Sequence, residues 1–279
     1  MNFTPLKCKK GYTHIIQKYI DFCIIIDNMF SIFVVYHKTL YDNFYQTISE
    51  DNKKHIFFYG VKGRLENIPS IFEFELPIYN PKLQAQRYNE SSAFYHIYEN
   101  NLYKDLSYIG FAQYDMIIKN ETINAIKTQI IQQQQPTIFA AFFAVEESKM
   151  SLHGSLNLIV EHIPFFGSVL DNYNNFFLTD YKKDNIMKAP LIMCNTFIIP
   201  VAMYEKYMQW LSSYFLHDID VEELNKICCK NYGFLDSREN TINRGHLIEI
   251  CSAVFLAIET MEGASIQYID FEHEHNMRI

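Results

Sequence analysis

Short apolar runs alternate with helical patterns along the first half of this chain, and this alternation limits the folds that it can adopt. Phe30–Tyr36, His55–Tyr59 and Tyr108–Phe111 are rich in β-branched and aromatic residues, which is typical of strands buried on both faces. Helices are predicted between them, at Tyr41–Ile48 and Leu83–Asn100. Strands and helices in this order, with short connections, predict an α/β fold in which helices flank a Rossmann-type, mostly parallel central sheet.

The second half continues with strands and helices at less regular spacing. Strands are predicted at Thr137–Val145, Lys188–Pro200 and Ser265–Phe271. The helices predicted in this half are Glu121–Gln134, Val201–Phe215, Val221–Lys230 and Arg244–Glu259. We find neither an internal repeat nor a linker of low complexity. The chain is therefore expected to form a single domain over residues 29–279, preceded by an N-terminal extension over residues 1–28.

The overall charge and composition argue against several classes of protein. Hydrophobic residues make up 49% of the chain and its formal net charge is −8, which indicates a globular protein without the basic surface that nucleic acids require. The six cysteines include no CxxC pair, which predicts free thiols in a reducing compartment. The uncharged run Ala189–Tyr204 falls short of the roughly 20 apolar residues of a membrane span. We expect a soluble, cytoplasmic protein, with peripheral attachment to a membrane left open.

Three common nucleotide-binding and hydrolase motifs are missing from the sequence. The chain contains no GxGxxG, no GxxxxGK[ST] and no GxSxG. Their absence argues against a dehydrogenase, a P-loop nucleoside triphosphatase and an α/β-hydrolase.

Polar residues follow three of the predicted strands. His37 and Lys38 follow the first strand, Gly60 follows the second, and Gln113–Asp115 follow the third. Because ligands bind at the carboxyl ends of parallel strands, these residues are predicted to share one site. The apolar neighbours of Asp115 indicate burial, and a buried carboxylate needs a partner or a metal. Two plainer interpretations stay open, namely that Asp115 is a turn residue bonded to backbone amides and that His37 is a strand-end histidine bonded to the backbone.

Two histidines near the C-terminal end of the sequence extend this prediction to a metal site. His273 and His275 follow the last predicted strand, in the sequence Glu-His-Glu-His. Asp115 with either histidine is a ligand set for Mn²⁺ or Mg²⁺, because phosphates and waters complete the octahedron around a hard divalent cation. The alternative is a solvated tail in which these histidines bind nothing.

Four stretches of the sequence follow one another in an order that is more specific than any one of them. They are FVVYHK at Phe33–Lys38, YNESSAFYHIYEN at Tyr88–Asn100, YIGFAQYDM at Tyr108–Met116, and CNTFIIPVAMYEKYMQWL at Cys194–Leu211 followed by RGHLIEI at Arg244–Ile250. Together they resemble the GT-A type nucleotide-sugar glycosyltransferases, and within these a group found in bacterial capsule and exopolysaccharide clusters and in giant DNA viruses. The resemblance implies a GT-A-like fold with a nucleotide-binding half over residues 29–136 and an acceptor-side half over residues 137–279.

The resemblance also implies an activity. An enzyme of this kind, a hexosyltransferase, moves a sugar from a nucleotide-diphosphate sugar to an acceptor hydroxyl of a glycan or glycoconjugate during glycan or polysaccharide synthesis. The residues that we expect to bind the donor are Tyr36, His37, Lys38, Gly60, Glu90, Gln113, Tyr114, Asp115 and Arg244. Gln113 replaces the first carboxylate of the family's metal-binding DxD motif and leaves Asp115 alone, so metal binding is weakened, supplemented by a histidine, or lost. A catalytically inactive GT-A-like glycan-binding or structural module is the alternative, and the incomplete motif is its best support.

Catalysis by an inverting transferase needs a carboxylate base on the acceptor side. The candidates, in order, are Glu249, Asp236 and Asp171. Glu249 has a structural alternative as the partner of Arg244 or Arg238. Lys38 and Arg244 are candidates to stabilise the leaving diphosphate, and the alternative is that both are ordinary surface charges.

Overall fold

The structure is a computed structural model, and it describes most of the chain. The described residues are 29–37, 40, 45, 47–62, 68–133, 135–141, 166–186, 188–190, 192, 195–216, 244–270 and 272–273. This part of the chain contains nine strands, eight α-helices and two short 3₁₀ helices.

The strands form one large sheet and one small one. The large sheet contains β1 (Phe30–Tyr36), β2 (Ile56–Gly60), β3 (Ile71–Phe72), β4 (Tyr108–Gln113), β6 (Thr137–Ala141), β7 (Phe197–Pro200) and β8 (Ser265–Ile269), while β5 (Met116–Ile117) and β9 (Glu272–His273) pair separately. The order of the large sheet is β3-β2-β1-β4-β7-β6-β8. β7 runs antiparallel to both of its neighbours, and all other pairs in this sheet are parallel.

Helices connect the strands and cover the sheet. The α-helices are α1 (Glu50–Lys53), α2 (Pro81–Ala85), α3 (Ser92–Glu99), α4 (Asn120–Gln132), α5 (Phe166–Phe177), α6 (Lys183–Ile186), α7 (Val201–Leu216) and α8 (Arg244–Met261), and the 3₁₀ helices are Glu73–Glu75 and Asn89–Ser91. Among the described residues, none of these helices combines the length and the hydropathy that crossing a membrane requires.

Alternate residues of β1 pack into two separate hydrophobic layers. Phe33 and Val35 lie in the larger layer with residues of α3, α7 and α8, whereas Ile32 and Val34 lie in the smaller layer with residues of α4. None of these four side chains is more than 5% exposed. Since successive residues of a strand point to opposite faces, a strand covered on both faces must be almost entirely apolar, and Ser31 is the one exception in β1.

The predicted fold class is confirmed. The central sheet is mostly parallel, helices flank it, and β1, β2 and β4 lie where the apolar runs predicted strands. Val201–Phe215 and Arg244–Glu259 were predicted as helices and correspond to α7 and α8.

The helix predicted over Leu83–Asn100 is interrupted. α2 ends at Ala85 and α3 begins at Ser92. Between them, Arg87 and Asn89 have positive φ angles of 64° and 52°, a conformation that ends a right-handed helix. The apolar periodicity of the stretch did not reveal this break. The 3₁₀ helix Asn89–Ser91 therefore lies between two short α-helices.

Other predicted elements differ in length or fall outside the described residues. The strand predicted over Lys188–Pro200 begins only at Phe197, after Asn195, whose φ is 46°. The N-terminal extension, the helix predicted at Val221–Lys230 and most of the helix predicted at Tyr41–Ile48 lie outside the described residues.

Close packing at the centre of the sheet, where β4 lies between β1 and β7, leaves no room for a side chain at Gly110. A Cβ atom at this position would lie 2.6 Å from Cγ1 of Ile198 and 3.1 Å from Cγ1 of Ile32. Gly110→Ala should therefore lower the free energy of unfolding by about 1–3 kcal/mol, a typical cost of overpacking. Urea denaturation at constant pH measures this change.

Gly167→Ala is the matched control for this prediction. A Cβ atom at Gly167 meets no atom within 4 Å, and the residue lies in α5, where alanine forms helix better than glycine does. We expect this variant to be at least as stable as the wild-type chain. Equal destabilisation of both variants would contradict tight packing around Gly110.

Candidate functional site

The carboxyl ends of β1, β2 and β4 lie side by side at one edge of the sheet. β1 is paired in parallel with β2 on one side and with β4 on the other, so the three strands end close together. His37 follows β1, Lys62 comes two residues after β2, and Tyr114 follows β4. Open parallel sheets bind their ligands at this edge. The sequence analysis predicted that the residues after these three strands share one site there.

An ion pair between His37 and Glu90 lies at this edge. It joins Nδ1 of His37 to Oε1 of Glu90, and the two side chains are only 17% and 23% exposed. The rings of His37 and Tyr114 meet edge-on, with their centres 5.4 Å apart. Burial alone would raise the pKa of Glu90, but the hydrogen bond from His37, the charges of His37 and Lys62 and a backbone hydrogen bond together lower that pKa below its ordinary value.

Lys62 anchors the segment that carries Glu90. Its Nζ donates to Oδ1 of Asn89 at 2.6 Å. Asn89 has the left-handed backbone described above, which asparagine tolerates better than most residues do. The 3₁₀ helix that starts at Asn89 therefore keeps the ammonium group of Lys62 near the carboxylate of Glu90, beside the end of β1.

The start of α8 is attached to the same segment. The N–H of Gly245 donates to the carbonyl of Arg87 at 3.3 Å, and Oγ of Ser91 donates to the carbonyl of Gly245 at 3.5 Å. The guanidinium of Arg244 lies 5.5 Å from the centre of the Tyr88 ring, within the range of a cation–π contact. Two stretches that carry the sequence resemblance are therefore in direct contact, although the bonded residues are 154 positions apart.

A chain of hydrogen bonds continues from this segment into the second half of the sequence. Asn195 donates through Nδ2 to Oγ of Ser91 at 3.4 Å and accepts from Oγ of Ser252 at 2.8 Å. Ser252 in turn lies 2.6 Å from the hydroxyl of Tyr207. Ser91, Ser252 and Tyr207 are each at most 2% exposed. These hydrogen bonds thus join the 3₁₀ helix, Asn195 two residues before β7, α8 and α7.

Asp115 lies in the turn after β4 and borders the smaller hydrophobic layer. Its charge adds to burial in raising the pKa of Tyr45, whose hydroxyl donates to the carbonyl of Met116 at 3.0 Å. β5 pairs with β9 so that His273 is opposite Met116, one residue from Asp115. The backbone therefore brings two of the three predicted metal-ligand positions together, and His275 lies outside the described residues.

The described residues offer few side chains that could act as ligands of a metal ion. Within the described residues, no group of three or more histidine, cysteine, aspartate or glutamate side chains is arranged to hold a metal ion. One carboxylate at the end of β4, with Gln113 in place of a second, suits only a hard divalent cation that takes most of its ligands from phosphates and water. The residues present are compatible with such an ion and do not form a closed protein site.

Tyr36 and Gly60 were both expected to bind the donor, and the structure places them in supporting positions. The Tyr36 side chain is 1% exposed and lies in the core. A Cβ atom on Gly60 would lie 2.9 Å from the hydroxyl of Tyr36 and 2.9 Å from Cδ1 of Phe72. The close approach of these two rings therefore explains why residue 60 is a glycine. Because the Tyr36 side chain is buried, only the backbone of Tyr36 is available to contact a sugar donor.

The three candidates for the catalytic base are in different situations. Glu249 is half-buried in α8, on the helix face that also carries Gly245 and Ser252, so it lies beside the candidate site. Asp171 is an exposed residue of α5, and within the described part of the chain no contact links it to the strand ends. Asp236 and the predicted donor-binding residue Lys38 lie outside the described residues.

The sequence reasoning missed Lys62, Asn89, Ser91 and Asn195. Lys62 could have been found because it comes three residues after the strand predicted at His55–Tyr59, and position after a strand is the signal that singled out His37. The other three are small polar residues whose importance depends on contacts across the chain. No local pattern identifies such contacts.

Comparison with known proteins finds similarity at the level of structure. No protein-family profile matches the chain, and no curated protein matches it. Among solved structures, the fold is similar to that of a WbbM bifunctional glycosyltransferase in its apo form, with a TM-score of 0.56 over 88% of this chain and 12% sequence identity. The chain therefore shares its fold with part of that protein. It spans 45% of the WbbM chain, so only part of that protein corresponds to it.

The ion pair between His37 and Glu90 should make the stability of the protein depend on pH. Because the pKa of Glu90 is lowered in the folded state, its contribution is present above the unfolded value of about 4.5 and is lost as the pH falls through the lower folded value. Glu90→Gln should cost about 1–3 kcal/mol at pH 7, and the difference from the wild-type chain should shrink below pH 4.5. Chemical denaturation between pH 3 and 7 measures it.

Glu50→Gln is the control for this pH dependence. Glu50 pairs with Lys53 within α1, and its side chain is 88% exposed, so solvent screens the pair. Its replacement should change stability little at any pH in the range. If the two variants gave parallel pH profiles, the ion pair at the strand ends would not be the cause of the dependence.

Proposed function

We propose that this protein is a glycosyltransferase that moves a sugar from a nucleotide-diphosphate sugar to an acceptor hydroxyl in glycan synthesis. The observation that carries the proposal is the likeness of 88% of the chain to a glycosyltransferase fold, with a polar site at the strand ends where such sheets bind ligands. The GT-A character and the expectation of a donor site come from the sequence resemblance.

Cationic and polar groups at the strand ends would receive the diphosphate. Lys62 and Arg244 are attached to either side of the segment that carries Glu90, and His37 adds an imidazole that Glu90 holds in place. When the bond between the anomeric carbon and the β-phosphate oxygen breaks, negative charge accumulates on the leaving nucleoside diphosphate. Positive groups fixed in advance stabilise that charge without rearranging during the reaction.

Glu249 is our candidate for the base on the acceptor side. The acceptor oxygen attacks the anomeric carbon, and its proton passes to the carboxylate, which needs to lie within hydrogen-bond reach of the hydroxyl. The support for Glu249 is its position on α8, one helical turn after Gly245, which is bonded to Ser91 in the 3₁₀ helix that carries Glu90. Asp115 would hold a divalent cation together with the phosphates, and that cation would neutralise charge on the leaving diphosphate.

Lys62→Ala should weaken donor binding in this proposal. Thermal unfolding with UDP-, GDP-, CDP- and TDP-sugars identifies the donor, because a ligand that binds the folded state raises the melting temperature. For the donor so identified, the loss of Lys62 should raise Kd about tenfold, which corresponds to about 1.4 kcal/mol. Isothermal titration calorimetry measures the change.

Lys53→Ala is the matched control, because Lys53 precedes β2 at the other edge of the sheet while Lys62 follows it. Its replacement should leave Kd unchanged. The proposal fails if no nucleotide sugar shifts the melting temperature of the wild-type chain, or if both lysine variants bind the donor equally well.

Asp115→Asn tests the cation. If Asp115 binds Mn²⁺ beside the donor, Mn²⁺ should increase the melting-temperature shift produced by the donor in the wild-type chain and have no such effect in the variant. The shift given by the donor alone should persist in Asp115→Asn. A wild-type response to Mn²⁺ in the variant would remove Asp115 from the metal site.

Product analysis separates an enzyme from an inactive relative. Mass spectrometry of the donor after incubation with a mixture of glycan acceptors should reveal the nucleoside diphosphate and a sugar-extended acceptor. Donor binding without release of nucleoside diphosphate would instead support a glycan-binding or structural module.

A further inference from the structure

A buried carboxylate and a buried imidazole lie next to the candidate site and are not part of it. Glu73, in the 3₁₀ helix after β3, and His96, in α3, are both 0% exposed. Burial, and after it the charge of Glu73, raises the pKa values of Tyr59 and Tyr79. Removing a carboxylate from water is costly unless hydrogen bonds replace its contacts with water.

Oε2 of Glu73 accepts two hydrogen bonds from α3. Oγ of Ser92 lies 2.6 Å away and Nδ1 of His96 lies 3.1 Å away. The backbone N–H of Asn80 donates to Nε2 of His96 at 3.0 Å, so the ring proton of His96 is on Nδ1 and points to the carboxylate. Glu73 therefore determines the direction of both side chains.

Ser92 connects this carboxylate to the segment that carries Glu90. Its Oγ lies 2.9 Å from the carbonyl of Asn89, but a hydroxyl has one proton and the charged Oε2 of Glu73 is the stronger acceptor. Gln84 then supplies the missing donors, since its Nε2 lies 3.1 Å from the Asn89 carbonyl and 2.7 Å from Oγ of Ser92. Gln84, oriented by its hydrogen bond to Ser92, therefore fixes the position of that carbonyl.

The carbonyl of Asn89 belongs to the peptide that joins Asn89 to Glu90. Its position therefore limits where the Glu90 carboxylate can reach. We propose that Glu73 is a positioning residue of the candidate site, which acts through Ser92 and Gln84 to hold the Asn89 carbonyl and thereby keeps Glu90 against His37. The inference rests on the proposed function only in treating Glu90 as a residue of the donor site.

A buried pair that served stability alone would behave differently. Its loss would lower the stability of the fold and leave the interaction between His37 and Glu90 as it was. A positioning role predicts that this interaction weakens when the connection through Ser92 is cut. The quantity to measure is therefore the coupling between His37 and Glu90, which a double-mutant cycle isolates from changes in overall stability.

The experiment compares that cycle in several backgrounds. His37→Ala and Glu90→Gln, singly and together, are made in the wild-type chain, in Ser92→Ala and in Ser70→Ala, and each free energy of unfolding is measured in urea at pH 7 without any nucleotide sugar. Ser92→Ala should remove more than half of the coupling. Ser70 is the matched control, since it is also a buried serine, 7% exposed, and its hydroxyl donates to the carbonyl of Ile68.

Glu73→Gln is the second variant, which keeps the shape of the side chain and removes its charge. It should reduce the coupling in the same direction as Ser92→Ala, and if it does not fold, the serine variant still decides the question. Full coupling in Ser92→Ala, equal loss in Ser70→Ala, or no coupling in the wild-type chain would each overturn the proposal. Because no donor is needed, failure of the proposed transferase function would be seen separately, as absence of nucleotide-sugar binding.

Discussion

Burial of both faces of the sheet is the constraint on which the rest of this structure depends. β1 and β4 lie in the interior of the sheet with a hydrophobic layer on each side, so neither face can hold a charged group without a partner. Polar chemistry is therefore confined to the ends of the strands. The parallel pairing of β1, β2 and β4 then gathers three such ends at one edge, and this explains why residues from distant parts of the sequence meet there.

The segment around Glu90 is where the contacts of that edge converge. Lys62 holds it from β2, His37 from β1, and the start of α8 from the other half of the chain. Each of these contacts is modest by itself. Together they fix a carboxylate, a lysine and an imidazole in one place before any ligand arrives, and such preorganisation is how electrostatic sites act on developing charge.

The sequence predicted the fold better than the site, for physical reasons. Apolar runs such as Phe30–Tyr36 report burial directly, so the strands and the mostly parallel sheet were accessible from local pattern. The interruption between α2 and α3 was not, because positive φ angles at Arg87 and Asn89 leave no trace in apolar periodicity. Residues at strand ends could be predicted from position, whereas the bonds that join Ser91 to α8 depend on tertiary structure.

The antiparallel strand β7 also affects how the chain can assemble. β7 lies between β4 and β6 in the sheet, although it follows both in sequence. β6 therefore has no neighbour to pair with when it leaves the ribosome, and must wait for β7 and β8, whereas β1 to β4 can pair as soon as they are made. The half that carries His37 and Glu90 can form early, and α8 reaches its position against Ser91 only after residues 244–261 have been made.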